Sequence, residues 1–207
     1  MATLARWTAL HKRLGARGSP ESAYARLAGA YGAPDRVYHT LWHVGHCLDE
    51  FDKARSLAAR PDEVELALWY HDYIYDPREK DSVNVERSAD AAAESARSMG
   101  LSDGLAERVR GLVLATKHTG SAPDPDAALV ADCDMALLGW PEETFADSYA
   151  RVRAERRWLA EELFLESHRR FCANLLERPS IYLTESFRRR YEAKARENLA
   201  RELKKFA

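Results

Sequence analysis

AALVADCDMALL, residues Ala127 to Leu138, is apolar on nearly every side when wound as a helix, the pattern of a helix enclosed by other helices. It nevertheless carries Asp132 and Asp134. Carboxylates in such a setting need a cation or several hydrogen bonds to offset their desolvation. Two residues apart on a helix, they point about 200° away from each other, so one ion is reached by only one of them. Both have apolar neighbours three and four residues away, and periodicity leaves the choice open.

The rest of the chain supplies the enclosing helices. Ala, Leu, Arg and Glu dominate, and alternating β-branched strand patterns are missing. Pro and Gly mark the joints, among them GSPES at Ser19, DPREKD at Asp76, TGSAPDPD at Thr119 and GWPEE at Gly139. Between the joints, helices are expected at about 3–15, 20–31, 39–59, 62–74, 82–99, 103–118, 126–138, 141–158, 160–177 and 184–205. No repeat, low-complexity tract or flexible linker divides the 207 residues, enough for one core and few for two. The expectation is a single all-α domain, a compact multi-helix bundle over 1–207.

Bulk properties narrow the function classes. A formal charge of −2 gives no sign of nucleic-acid binding. No apolar run approaches the roughly 20 residues that a bilayer needs. The start, MATLARWTAL, lacks the basic-then-apolar layout of a signal peptide. Cys47, Cys133 and Cys172 each sit in an apolar helical stretch with no CxxC pair. They read as buried free thiols of a reducing compartment, and a cytoplasmic location is expected.

Candidate chemistry gathers on three helices. In LWYHDYIYDP, Leu68 to Pro77, His71 and Asp72 stand at the end of an apolar helical run closed by Pro77. Adjacent side chains diverge by about 100° on a helix, so this pair reaches one ion most easily where the helix ends or loosens. On the helix expected from His39, the side chains of His39, His43 and His46 fall within about 60° of one another. They lie beside a stripe of Val44, Cys47, Leu48, Phe51, Ala54 and Ala58. Imidazoles and carboxylates from His43, His71, Asp72 and Asp132 or Asp134 form a ligand set suited to a divalent metal. His46 reads as a partly exposed neighbour of that set.

Four segments in order carry a resemblance. They are Tyr38-His39…His43, His71-Asp72…Tyr75, Asn84…Glu86…Ser88-Ala89 and Asp132…Asp134…Leu138-Gly139, spread over roughly 35–140. The chain thereby resembles the HD superfamily, in particular its small predicted metal-dependent phosphohydrolases. That resemblance implies an HD-domain bundle with its metal-site core at about 35–140 and the C-terminal helices, 141–207, packed on it. It implies metal ligands His43, His71, Asp72 and Asp134, with Asp132 the alternative for the last. The ion would be a single divalent one: Mn, Fe, Co, Ni, Zn or Mg. The implied reaction is hydrolysis of a phosphomonoester or nucleotide by a metal-activated water. Asp76 and Glu86 are then the carboxylates nearest the motif for catalysis, with His39, Lys117 and His118 to bind the phosphate. Expected partners are a small phosphate ester or nucleotide, with no nucleic acid or membrane, and a homodimer is compatible with the Arg/Glu-rich terminal helices.

Two other functions fit the same residues. A di-iron oxygenase of HD fold resembles a pattern with two more histidines before the last aspartate, and here only His118 is available. A sensor that binds a nucleotide without turning it over would keep the same ligands.

Overall fold

The computed structural model describes residues 1–122 and 124–205; Pro123, within the TGSAPDPD joint, and the last two residues of 141–207 lie outside that set. The described residues form α1 (Leu4–Arg13), α2 (Pro20–Tyr31), α3 (Leu41–Ala54), α4 (Pro61–Tyr70) and α5 (Asp81–Ser98). They continue with α6 (Asp103–Leu114), α7 (Pro125–Met135), α8 (Glu142–Glu155), α9 (Glu161–Leu176) and α10 (Glu185–Lys204). Short 3-10 turns extend α3, α6 and α7 over Arg55–Leu57, Ala115–Lys117 and Ala136–Gly139. No strand occurs among the described residues, and the fold is all-α.

Helix starts follow local chemistry. Side-chain oxygens of Thr3, Ser19, Thr40, Ser102, Asp124 and Thr184 accept from backbone N–H groups of the first turn of their helices. Pro20, Pro61 and Pro125 stand in first turns, where a missing N–H costs nothing. Thr40 explains one departure from periodicity: its cap starts α3 at Leu41, so His39 precedes the helix expected to contain it.

α4 and α7 are the inner helices. Every residue of α4 from Glu63 to Tyr70 is buried, and α7 exposes almost nothing. α3, α4 and α7 pack on one another, the α5–α6 hairpin covers α4, and α10 lies on α9 and on the turn after α7. Gly139 allows that last approach, because a Cβ there would sit 2.5 Å from Tyr191 Cβ. Asn198 Nδ2 reinforces it by donating to the Leu138 and Trp140 carbonyls at 2.8 and 2.9 Å. The C-terminal helices are thus tied to the segment that carries Asp134.

α4 ends four residues before the expected 74 because α5 takes over the next backbone groups. Ser88 Oγ accepts from Ile74 N and donates to Ile74 O, both at 3.0 Å. One turn earlier, Asn84 accepts from Asp76 N at 3.1 Å and donates to its carbonyl at 2.9 Å. The Asn and Ser of the N-x-E-x-S segment therefore hold the chain that follows His71-Asp72 open. No helix among the described residues is long and apolar enough to cross a membrane.

Candidate metal centre

The cluster sits where α3 meets the two inner helices, α4 and α7. His43 comes from the first turn of α3, His71 and Asp72 from the end of α4, and Asp134 from the last turn of α7. His43 Nε2 lies 3.1 Å from His71 Nε2, 2.9 Å from Asp134 Oδ1 and 3.5 Å from Asp72 Oδ2. His71 Nε2 is 3.0 Å from Asp72 Oδ2 and 3.6 Å from Asp134 Oδ1. Both histidines are buried.

This arrangement meets a direct test for a cation. His71 Nδ1 donates to the Leu68 carbonyl at 2.8 Å, which leaves the Nε2 lone pair facing the cluster. Two imidazole nitrogens converge there at 3.1 Å with carboxylates on either side. Lone pairs so placed repel unless a proton or a metal ion lies among them, and the donor set suits a divalent ion.

The electrostatics show how strongly the cluster draws positive charge. Burial pulls the His43 pKa down, yet the Cys47 sulfur and the Asp134 carboxylate raise it to about 10. Burial opposes and the charges of Asp72 and Asp134 prevail at His71, which rises well above the usual histidine range. Asp134 is held well below the ordinary carboxylate range against its burial, first by the charge of His71 and then by hydrogen bonds from His118 and His43.

The two acids of α7 separate cleanly. Asp134 faces the histidines. Asp132 turns away and accepts from Leu183 N, Thr184 N and Thr184 Oγ1 at 2.7, 2.7 and 2.6 Å, fixing the start of α10. Its oxygens are committed to that cap.

The other sequence-derived candidates divide likewise. His118 Nε2 reaches Asp134 Oδ2 at 2.8 Å. Its backbone is left-handed, at φ +53°, uncommon without glycine, and Arg178 holds its carbonyl at 2.6 Å. His39 lines the cleft beside the cluster, stacked on Tyr75 with ring centroids 4.0 Å apart. His46 lies between Trp42 and Trp140, away from the cluster. Asp76, Glu86 and Lys117 are not brought to it. Asp76 is exposed and accepts from Arg78 N, because Asn84 holds its backbone outward. Glu86 is an exposed residue of α5 paired with Lys117, so each neutralises the other at the surface. Among the described residues, the carboxylates lining the cleft are Asp72, Asp81 and Asp134.

Periodicity passed over three contributors. Cys47 stands in the sequence as a buried free thiol, yet one ligand atom each from His43, Cys47, His71 and Asp134 all lie within 4.8 Å of one another. Its signal was the four-residue spacing from His43, which puts both on one helical face. Glu155, at the end of α8, accepts from Val37 N, Tyr38 N and His39 N at 2.8 Å and holds His39 Nδ1 at 2.6 Å. Arg36 donates to the carbonyls of His39, Asp72 and Tyr73, joining the two ligand-bearing segments. Neither has a local signature, since Glu155 lies 116 residues from His39 and Arg36 reaches Asp72 and Tyr73 across 36 and 37 residues.

A cleft of about 230 Å³ leads from the cluster outward, bordered by Asp72, Asp134, His118, Asn84, His39 and Tyr38. Together, the all-helical fold and the buried His/Cys/Asp group define a protein with a possible metal centre, compatible with an HD-like fold. No family model, curated protein or solved structure matches the chain.

Proposed function

We propose that this protein is a metal-dependent phosphohydrolase of HD type, acting on a small phosphomonoester or nucleotide. The observation that carries the proposal is the convergence of His43, His71, Asp72 and Asp134 at the inner end of an open cleft. Those four side chains would hold one divalent ion, with Cys47 beside them. Such an ion supplies Lewis acidity toward a phosphoryl oxygen and lowers the pKa of a coordinated water.

The chain's own residues do the remaining work. Glu155 orients His39 by accepting a hydrogen bond from its Nδ1–H, and with the ring protonated on both nitrogens Nε2–H would donate to a phosphoryl or leaving-group oxygen. His118, on the opposite side of Asp134, holds that carboxylate in place through its Nε2 at 2.8 Å. Because Asp76, Glu86 and Lys117 are engaged at the surface, the charge stabilisation that phosphoryl transfer requires would fall to the ion and His39. Asp81 at the rim pairs with Arg156 at 2.7 Å.

The test joins metal analysis of the purified protein with a hydrolysis screen. Mn2+, Co2+, Ni2+ and Mg2+ are each paired with generic phosphoesters and a nucleotide panel. About one ion per chain and metal-dependent phosphate release are expected; a metal-loaded protein that frees phosphate from nothing in the panel overturns the reading. A second reading, a di-iron oxygenase, draws support from His118 on the outer oxygen of Asp134, which places a nitrogen donor on each side of one carboxylate. Two irons per chain with no phosphate release would favour it.

A further inference from the structure

We infer that the ligand of this site is an amphiphilic organic phosphate, whose apolar body, a short alkyl chain or a single aryl ring, occupies a second chamber beyond the metal centre. The phosphate end of this inference rests on the phosphohydrolase reading.

The second chamber, about 280 Å³, adjoins the first: Tyr38, His39, Asp81, Leu137, Leu138 and Phe171 border both. Its outer wall is built by Phe145, Tyr149 and Val152 of α8 and Phe164 of α9. A group seated at the cluster therefore points its substituent along His39 into a largely apolar, aromatic space.

Part of that wall's polar surface is already engaged. Ser148 Oγ donates to the Thr144 carbonyl at 2.8 Å, Arg156 donates to Asp81 at 2.7 Å, and His39 is held by Glu155 at 2.6 Å. A sugar ring or a base edge entering there would give up its water against a wall that is mostly carbon, from Leu137, Leu138, Phe145, Val152, Phe164 and Phe171. A hydrocarbon loses nothing by the same move and removes apolar wall from water. Phe171 adds an independent sign. It borders both chambers and is 46% exposed, a large aromatic left in water where an apolar occupant would cover it.

The experiment is calorimetric titration of methyl-, butyl-, hexyl- and octylphosphonate into the Mn2+-loaded protein, the C–P bond resisting hydrolysis. Affinity should rise by about two- to fourfold per methylene until the chamber is filled. Val152→Trp and, as an independent block at the rim, Ser167→Phe should flatten the series, with helicity by circular dichroism confirming that each variant folds. A flat series in the unaltered protein, or a rise undiminished in both folded variants, overturns the inference. The matching alkyl phosphates are assayed for phosphate release in parallel. A flat series with metal-dependent release defeats this inference and leaves the phosphohydrolase reading standing. A rising series without release supports the chamber and defeats that reading.

Discussion

Asp134 divides its two oxygens between histidines from different parts of the chain: Oδ1 lies 2.9 Å from His43 Nε2 and Oδ2 lies 2.8 Å from His118 Nε2. One carboxylate from α7 thus joins the start of α3 to the turn that follows α6. Asp132, two residues earlier, joins α7 to the start of α10 instead. A single inner helix thus aims one aspartate at the histidines and the other at a helix start.

That separation gives opposite outcomes for two similar substitutions. Asp134→Asn should weaken Mn2+ binding by at least about 100-fold, as loss of a direct ligand requires. Asp132→Asn should keep the metal and lower stability by about 2 kcal/mol, since an amide cannot accept all three hydrogen bonds from residues 183 and 184. Metal content by mass spectrometry and urea unfolding would distinguish them. Metal lost from both variants alike, with equal stability, would contradict the assignment.

Metal uptake should release protons. In the metal-free cluster the His43 pKa is raised to about 10, so at pH 7 its ring holds a proton that an incoming ion must displace. At least about one proton per ion is expected, and apparent affinity should climb between pH 6 and 8. Titrations in two buffers of different ionisation enthalpy would count the protons; identical heats in both would refute the prediction.

Glu155 should make folding sensitive to acid. Its burial opposes ionisation, but His39 and the backbone N–H groups of residues 37 and 39 lower its pKa to about 2 from the ordinary 4.5. A depressed carboxylate stabilises the fold above its unfolded pKa, and that contribution disappears as pH falls from 4.5 through about 2. Glu155→Gln should therefore cost up to about 3 kcal/mol at pH 7, with the gap to the unaltered protein closing toward pH 2. Urea midpoints across that range provide the measurement, and a gap independent of pH would argue against the ionised Glu155.

Gly139→Ala should loosen α10. The added methyl would meet Tyr191 Cβ at 2.5 Å and the Tyr191 carbonyl oxygen at 2.8 Å, so backbone has to move. A loss of about 1–3 kcal/mol is expected, read by thermal or chemical unfolding. An unchanged midpoint would show that α10 is free to shift.

Sequence alone sufficed for the all-helical class and the joints, and it marked His43, His71-Asp72 and the acids of AALVADCDMALL as residues with unusual surroundings. Those properties are local: a 3.6-residue period, a capping oxygen and a proline are read within one or two turns. Tertiary structure alone decided which aspartate of α7 faces the histidines. It also turned Asp76, Glu86 and Lys117 to the surface and brought Cys47 to within 4.8 Å of the two histidines and Asp134. Glu155 shows the reason most plainly. It governs His39 from 116 residues away, because α8 happens to end against the segment before α3. Periodicity gives the face on which a side chain stands, but its partner is chosen by how whole helices pack, and that choice is written across the chain rather than beside the residue.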